Sequence, residues 1–237
     1  MITVLTWLWH QPKSRTRYTA RHVNIWADMV RRNLSTPHRI AVVTDMVEGI
    51  DPSIEIIPPS GEFVGLETPT WCNGKPNCFR RLVMFKRDAS KIFGERFVSM
   101  DLDCVIGGPL DPLFKRKEDV VFFKGTSPKR PYNGSMMLIR AGTRPQVYEQ
   151  FNLAEAGDAG LQYCGSDQSW LAYKLGWNEA TWDDSDGVYF WGTTYTKARK
   201  KENPRILFFP GKLKPWDVTH FDRFTKNNYR IEMREAA

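Results

Sequence analysis

FVSMDLDCVIGG, residues 97–108, decides how the rest of the chain is read. Phe97, Val98, Met100, Leu102, Val105 and Ile106 read as a buried strand. Asp101 and Asp103 stand at its end, before a Gly-Gly pair. Buried carboxylates are costly unless they are paired, hydrogen-bonded or bound to a metal. On a strand, residues i and i+2 point to the same side, so the two acids would lie side by side. Such a pair repels, and one member takes up a proton unless a cation sits between them. A hard divalent ion, Mg²⁺ or Mn²⁺, meets that need because it prefers carboxylate oxygen and also grips phosphate. The ends of strands in α/β sheets are where ligands bind. For an isolated D-x-D, a solvated turn after a strand is the plainer reading. An EF-hand is excluded, because the acids and the closing Glu of that loop are missing.

Around this stretch the chain alternates strands and helices. ITVLTWLW (2–9) reads as a central strand, and RYTARHVNIWADMVRRNL (17–34) as a helix with Val23, Trp26, Ala27, Val30 and Leu34 on one stripe. HRIAVVTD (38–45) is a second strand ending in Asp45, and SIEIIPP (53–59) a short third. This β-α-β-β order predicts an α/β fold with a mixed, mostly parallel sheet flanked by helices. Residues 60–78 are rich in Gly, Pro and Asn and read as a long functional loop. CFRRLVMFKRDASKIFG (78–94) is expected to form one helix. VVFFKG (120–125) and NGSMMLIRAG (133–142) are strands; RPQVYEQFNLA (144–154) and SDQSWLAYKLG (166–176) are helices. VYFWG (188–192) and RILFFPG (205–211) are late strands. One domain over residues 1–237 is expected, its last twenty or so residues a polar surface tail.

Composition narrows the function classes. With 41% hydrophobic and 26% charged residues, the chain is an ordinary soluble globular protein. A net charge of +7 favours anionic ligands: nucleotides, nucleic acids, acidic glycans or lipid surfaces. Nine tryptophans serve either a core or flat ligands such as sugars and bases. MITVLTWLWHQPKSR puts apolar residues before basic ones, the reverse of a signal peptide, and no run is long enough to span a membrane. A cytoplasmic location without a transmembrane segment is the expectation. Cys72 and Cys78 in WCNGKPNC lack a zinc spacing, so reduced thiols are expected at all four cysteines.

Three more elements carry chemistry. In GKLKPW (211–216), Gly211 allows close backbone approach, and Lys212 and Lys214 offer charge to a phosphate. In PYNGSMML (131–138), Asn133 can donate and accept as a buried strand begins. In GSDQSW (165–170), Asp167 and Gln168 open a helix, where an acid is also a routine residue.

Taken in order, these elements resemble the retaining glycosyltransferases of the glycogenin and bacterial lipopolysaccharide galactosyltransferase group, family 8 in the sequence classification. The ordered set is the strand ending at Asp45, Arg81-Leu82 before the acids, Asp101-Leu102-Asp103 with the trailing GGPLDPLF, Asn133-Gly134, Asp167-Gln168, and Gly211 to Trp216. The resemblance implies a single GT-A-type nucleotide-sugar-binding domain. It implies hexosyl transfer from a nucleotide-diphosphate donor, a UDP-sugar, to an acceptor hydroxyl with configuration retained. By it, Thr6, Trp7 and Asp45 hold base and ribose, Leu102 belongs to the donor site, and Arg81 reaches the donor sugar or diphosphate. Asp101 and Asp103 bind Mn²⁺ or Mg²⁺ on the diphosphate. Asn133, Asp167 and Gln168 line the sugar and acceptor pocket as the catalytic set, and Gly211 and Lys214 hold the leaving phosphate. The family usually places a metal-binding His three residues before the Gly of G-x-x-K-P-W; here that residue is Phe208. His220, four residues past Trp216, is the alternative candidate. The order Asn-Gly-Ser also departs from the more usual Asn-Ser/Ala-Gly.

Two other functions stay open. A nucleotidyltransferase uses a similar sheet and acidic pair, but WLWHQPKSRTRY lacks the glycines of a phosphate loop after the first strand. A sugar-nucleotide-binding protein without turnover fits the missing His. The basic runs FRRLVMFKR (79–87) and KARKKENPR (197–205) read as solvated faces, or as a surface for an anionic acceptor such as a lipopolysaccharide core or a modified base in nucleic acid. Otherwise the acceptor is a glycan. The loop 60–78 and the segment 183–204 are expected to frame it.

Overall fold

The computed structural model describes residues 1–10, 14, 16–66, 78–195 and 204–231. Strand β1 (Ile2–Leu8) leads into helix α1 (Ala20–Asn33), then β2 (His38–Thr44) and β3 (Glu55–Ile57). Val23, Trp26, Ala27 and Val30 are fully buried on α1, the stripe that the spacing predicts. Helix α2 (Ser90–Phe93) precedes β4 (Arg96–Met100) and β5 (Cys104–Ile106). Then come α3 (Asp111–Phe114), β6 (Val120–Ser127), β7 (Arg130–Arg140), α4 (Gln146–Glu149), α5 (Leu153–Tyr163), α6 (Asp167–Leu175), β8 (Ala180–Trp182), β9 (Val188–Phe190) and β10 (Ile206–Phe208). Helices α7 (Pro215–Val218) and α8 (Arg223–Asn228) follow.

Seven strands form one sheet in the order β3-β2-β1-β4-β7-β6-β8. Pairing is parallel throughout except at β4–β7 and β7–β6, so β7 runs against the others. Side chains alternate across the sheet. Val4, Val42, Val98 and Leu138 face a core with α1, and Leu5, Val43, Phe97 and Ile139 face a core with residues 79–85, α5 and α6. The mixed, mostly parallel sheet flanked by helices is the expected one.

Four local expectations change. The expected strand 97–106 is two strands in two sheets. β4 belongs to the large sheet, whereas β5 joins β10 and β9 in a three-stranded sheet. Asp101 and Asp103 therefore flank a turn between sheets and do not sit at i and i+2 of one strand. The expected helix 78–94 is a 3-10 turn at Phe79–Phe85 followed by the short α2. Six of the seven residues of that turn are buried, a pattern that a one-faced surface helix does not produce. The expected helix 144–154 ends at Glu149, and Asn152 Oδ1 then accepts from the Ala154 and Glu155 amides to start α5. The expected C-terminal surface tail includes α7 and α8, with Val218 and Thr225 fully buried. Gly107 makes room for α8: a Cβ there would lie 2.6 Å from the Phe224 ring.

Candidate functional site

The winding of the sheet changes direction at β1. From β1 the chain moves outward through β2 and β3, then returns to place β4 on the other side of β1. Such a switch point opens a crevice at the carboxyl ends of the strands. A cavity of ≈ 560 Å³ fills it, bounded by Trp7, Trp9, Arg17, Tyr18, Arg81 and the Asp101–Asp103 turn.

Arg81 organises one end. Its Nη1 donates to Asp101 Oδ1 at 2.7 Å and to the Gly134 carbonyl at 3.0 Å, and its Nε donates to Asp167 Oδ2 at 2.9 Å. Its Nη2 lies 2.5 Å from the same Asp167 oxygen. The 3-10 turn buries this guanidinium, the start of α6 supplies Asp167, and β7 supplies the Gly134 carbonyl. The Asp101 amide donates to the Ser135 carbonyl at 2.9 Å, which fixes the acidic turn against β7. A Cβ on Gly134 would lie 2.6 Å from Arg81 Nη2 and 3.1 Å from Asp167 Oδ2, so the cluster requires a glycine here. Burial raises the Asp167 carboxyl above its ordinary pKa, with Asp101 adding to the rise and Arg81 opposing it. Burial opposes the charge on Arg81, yet Asp167, Cys78 and Asp101 raise its pKa above the ordinary value. Burial also pushes the Cys78 thiol up to about 12.

Lys214 organises the other end. Its Nζ donates to Asp103 Oδ2 at 2.5 Å and to the Phe209 carbonyl at 2.9 Å. The small sheet creates this meeting: β10 pairs with β5, and the Phe209 amide donates to the Asp103 carbonyl at 2.8 Å. Tyr18 OH donates to the same Asp103 oxygen at 3.1 Å. Burial, with Asp101 nearby, raises the Asp103 pKa, and burial with Asp103 raises that of the Tyr18 hydroxyl. Trp216 packs against His22 at 4.6 Å and Tyr18 at 6.2 Å between ring centroids, tying α7 to α1.

The remaining expected site residues divide. Trp7 and Leu102 line the cavity, and Trp7 is oriented by its Nε1 donating to Ser99 Oγ at 2.9 Å. Thr6 is fully buried, and its hydroxyl donates to the Met100 carbonyl at 2.9 Å, joining β1 to β4. Asp45 is exposed and lines an adjoining groove with Arg21 and Met46. Gly211 is exposed on the turn before Lys214. Asn133 Nδ2 lies 3.4 Å from Gln168 Oε1, its Oδ1 accepts from the Ser135 amide, and Gln168 Nε2 donates to the Cys164 carbonyl. Sequence reasoning missed Trp9, Arg17, Tyr18 and the packing role of Gly134. Trp9 meets Trp7 edge-on at 6.1 Å, and Arg80 sits 5.7 Å above its ring. The TRYTAR segment (16–21) leading into α1 was the available signal for Arg17 and Tyr18.

The basic run 79–87 is no continuous patch. Arg81 is buried, Arg80 covers Trp9, Lys86 pairs with Glu62 and Arg87 with Glu149. The run 197–205 and the loop 60–78 lie largely outside the described residues, as does Cys72; Cys78, Cys104 and Cys164 are free thiols. No helix among the described residues is long and apolar enough to cross a membrane.

The residues present do not fit a divalent ion held by the protein. Asp101 already carries Arg81, and Asp103 already carries Lys214 and Tyr18. Phe208 is buried on β10 and packs 5.2 Å from the Phe123 ring, so it offers no ligand. His220 is exposed against the Phe221 ring. Among the described residues, no three His, Cys, Asp or Glu side chains form a group that could hold a metal ion.

No family model and no curated protein matches the sequence. Solved structures do. The galactosyltransferase LgtC, in complex with donor and acceptor sugar analogues, superposes with a TM-score of 0.62 at 15% identity, covering 94% of each chain. The glycosyltransferase GlyE of Streptococcus pneumoniae TIGR4 gives 0.56 at 14% identity, over 91% of this chain and 57% of that one. Mouse xyloside xylosyltransferase 1 gives 0.51 at 9% identity, over 86% and 96%. The chain has the GT-A glycosyltransferase fold.

Proposed function

We propose that this chain is a hexosyltransferase that moves a sugar from a nucleotide-diphosphate donor, a UDP-sugar, to an acceptor hydroxyl with configuration retained. The observation that carries this reading is the switch-point cavity, with an aromatic wall and a buried Arg81–Asp101–Asp167 cluster at its floor. Its ≈ 560 Å³ suits a ligand of nucleotide-sugar size. Trp7, Trp9 and Leu102 give flat, apolar surface for the base, and Asp45 is assigned to the ribose. Thr6 acts by holding β1 to β4. Lys214, with Gly211 on the same turn, faces the diphosphate, and Arg81 faces the donor sugar. Asp167, Asn133 and Gln168 are assigned to the sugar and acceptor side.

The chemistry is a substitution at the anomeric carbon. The bond from C1 to the β-phosphate oxygen breaks, and its electron pair leaves on that oxygen. The acceptor oxygen bonds C1 on the face that the phosphate leaves, and the acceptor proton passes to the departing phosphate. No protein nucleophile is needed. Positive charge developing at C1 is stabilised by nearby carboxylate and amide oxygens, and negative charge on the leaving group by fixed cations. A glycan is the acceptor class.

The test is release of UDP or GDP from a panel of nucleotide sugars, with water and with simple glycosides as acceptors. UDP release that glycosides accelerate supports the reading. Binding of a nucleotide sugar with no hydrolysis or transfer would leave only a sugar-nucleotide-binding protein.

A further inference from the structure

We propose that Lys214, seated on Asp103, takes the place of a divalent cation in this chain, so that the nucleotide diphosphate is bound and released without metal. The proposal rests on the nucleotide-sugar reading above. An acidic pair calls for a cation (Asp101 and Asp103 would otherwise repel), and here the chain supplies two of its own. Lys214 Nζ stands 2.5 Å from Asp103 Oδ2, and Arg81 Nη1 stands 2.7 Å from Asp101 Oδ1. Both cations are buried, at 4% and 5% exposure.

A metal ion would have to displace a lysine that has nowhere cheap to go. If Lys214 left Asp103, its ammonium would keep one partner among the described residues, the Phe209 carbonyl, at a side chain only 5% exposed. Tyr18 also occupies the same carboxylate oxygen. The small sheet that brings Lys214 to Asp103 puts buried Phe208 beside Cys104, so no third ligand comes from β10.

Further cations stand near the site: Arg17 is exposed on the cavity wall, and exposed Lys212 lies two residues before Lys214. When the bond from C1 to phosphate breaks, the new charge on the phosphate oxygen meets the Lys214 ammonium; the acceptor proton goes to the phosphate as above. Preorganised cations of this kind stabilise a leaving group without reorganising.

Calorimetric titration of the full chain with UDP, in EDTA and again in millimolar Mn²⁺, tests the idea. The expected affinities agree within about threefold. An affinity that drops about tenfold in EDTA and returns with Mn²⁺ would overturn it, while the nucleotide-sugar reading would stand. Lys214→Met should lose about tenfold or more in UDP affinity in EDTA, because an unpaired acid then faces the phosphate. It should also bind Mn²⁺, seen as loss of the free-ion paramagnetic resonance signal without nucleotide. Wild-type chain that binds Mn²⁺ in that second measurement would refute the proposal whether or not UDP binds. Failure of UDP and GDP to bind under both conditions, with no release from any nucleotide sugar, would remove the nucleotide-sugar reading and this proposal together.

Discussion

Replacing Arg81 with methionine keeps an unbranched apolar stem and removes the guanidinium with its charge. Four contacts disappear: two to Asp167, one to Asp101 and one to the Gly134 carbonyl. The two acids respond differently. The Asp101 side chain is 33% exposed and can rehydrate, whereas that of Asp167 is 5% exposed and cannot. The loss of stability is therefore set by one stranded carboxylate. Breaking a buried pair in this way costs about 3–5 kcal/mol. For a chain of this size that lowers Tm by about 6–20 °C. The deficit should depend on pH. Burial already raises the Asp167 pKa with Arg81 present, and removing Arg81 raises it further. A carboxyl whose folded pKa is raised stabilises the fold in its protonated form. That contribution is fully present below the unfolded value of about 4 and is lost as pH rises through the folded pKa. The gap between Arg81→Met and wild type should accordingly narrow as pH falls from neutral toward 5. Adding Asp167→Asn should recover most of the loss. Denaturant unfolding of the three proteins across that pH range is the assay. A loss below about 1 kcal/mol, the level of a surface pair, would refute the reasoning. So would a deficit that ignores pH, or a double variant no better than the single one.

Two further outcomes follow from the geometry. Gly134→Ala forces a methyl to 2.6 Å from Arg81 Nη2, in a guanidinium held on three sides. Turnover should fall on the order of 10²-fold, as for a misplacement of about 1 Å, with a smaller loss of Tm than Arg81→Met; unchanged turnover would show that the cluster adapts. Asp111 accepts from the amides and hydroxyls of Ser35 and Thr36, led by the Ser35 amide, and these hold its pKa well below the ordinary value. Its contribution is present above the unfolded pKa and is lost as pH falls through the acid range. The gap in thermal stability between wild type and Asp111→Asn should be constant above about pH 5 and shrink steadily as pH falls below about 4.

Much of the fold was legible locally. The stripe on α1, the apolar runs of β1, β2 and β7, and the helix 166–176 are short-range patterns that local sequence dictates. Among the described tryptophans, Trp26, Trp170 and Trp182 lie in the core and Trp7 and Trp9 on the cavity. The helix over 78–94 did not form, because burial on several sides overrode its propensity.

The sequence by itself determined which residue types were available: an acidic pair, arginines ahead of it, and a lysine after a late strand. It also determined that the segment 206–210 carries Phe208 and Pro210 and no histidine. Only the tertiary structure decided who partners whom. Asp101 and Asp103, two residues apart, stand on the turn between separate sheets, and their cations come from 20 and 111 residues away. FVSMDLDCVIGG reads locally as one strand because its apolar residues satisfy either sheet. The change of sheet at the acids is fixed by pairing of β5 with β10, a contact that no local pattern encodes.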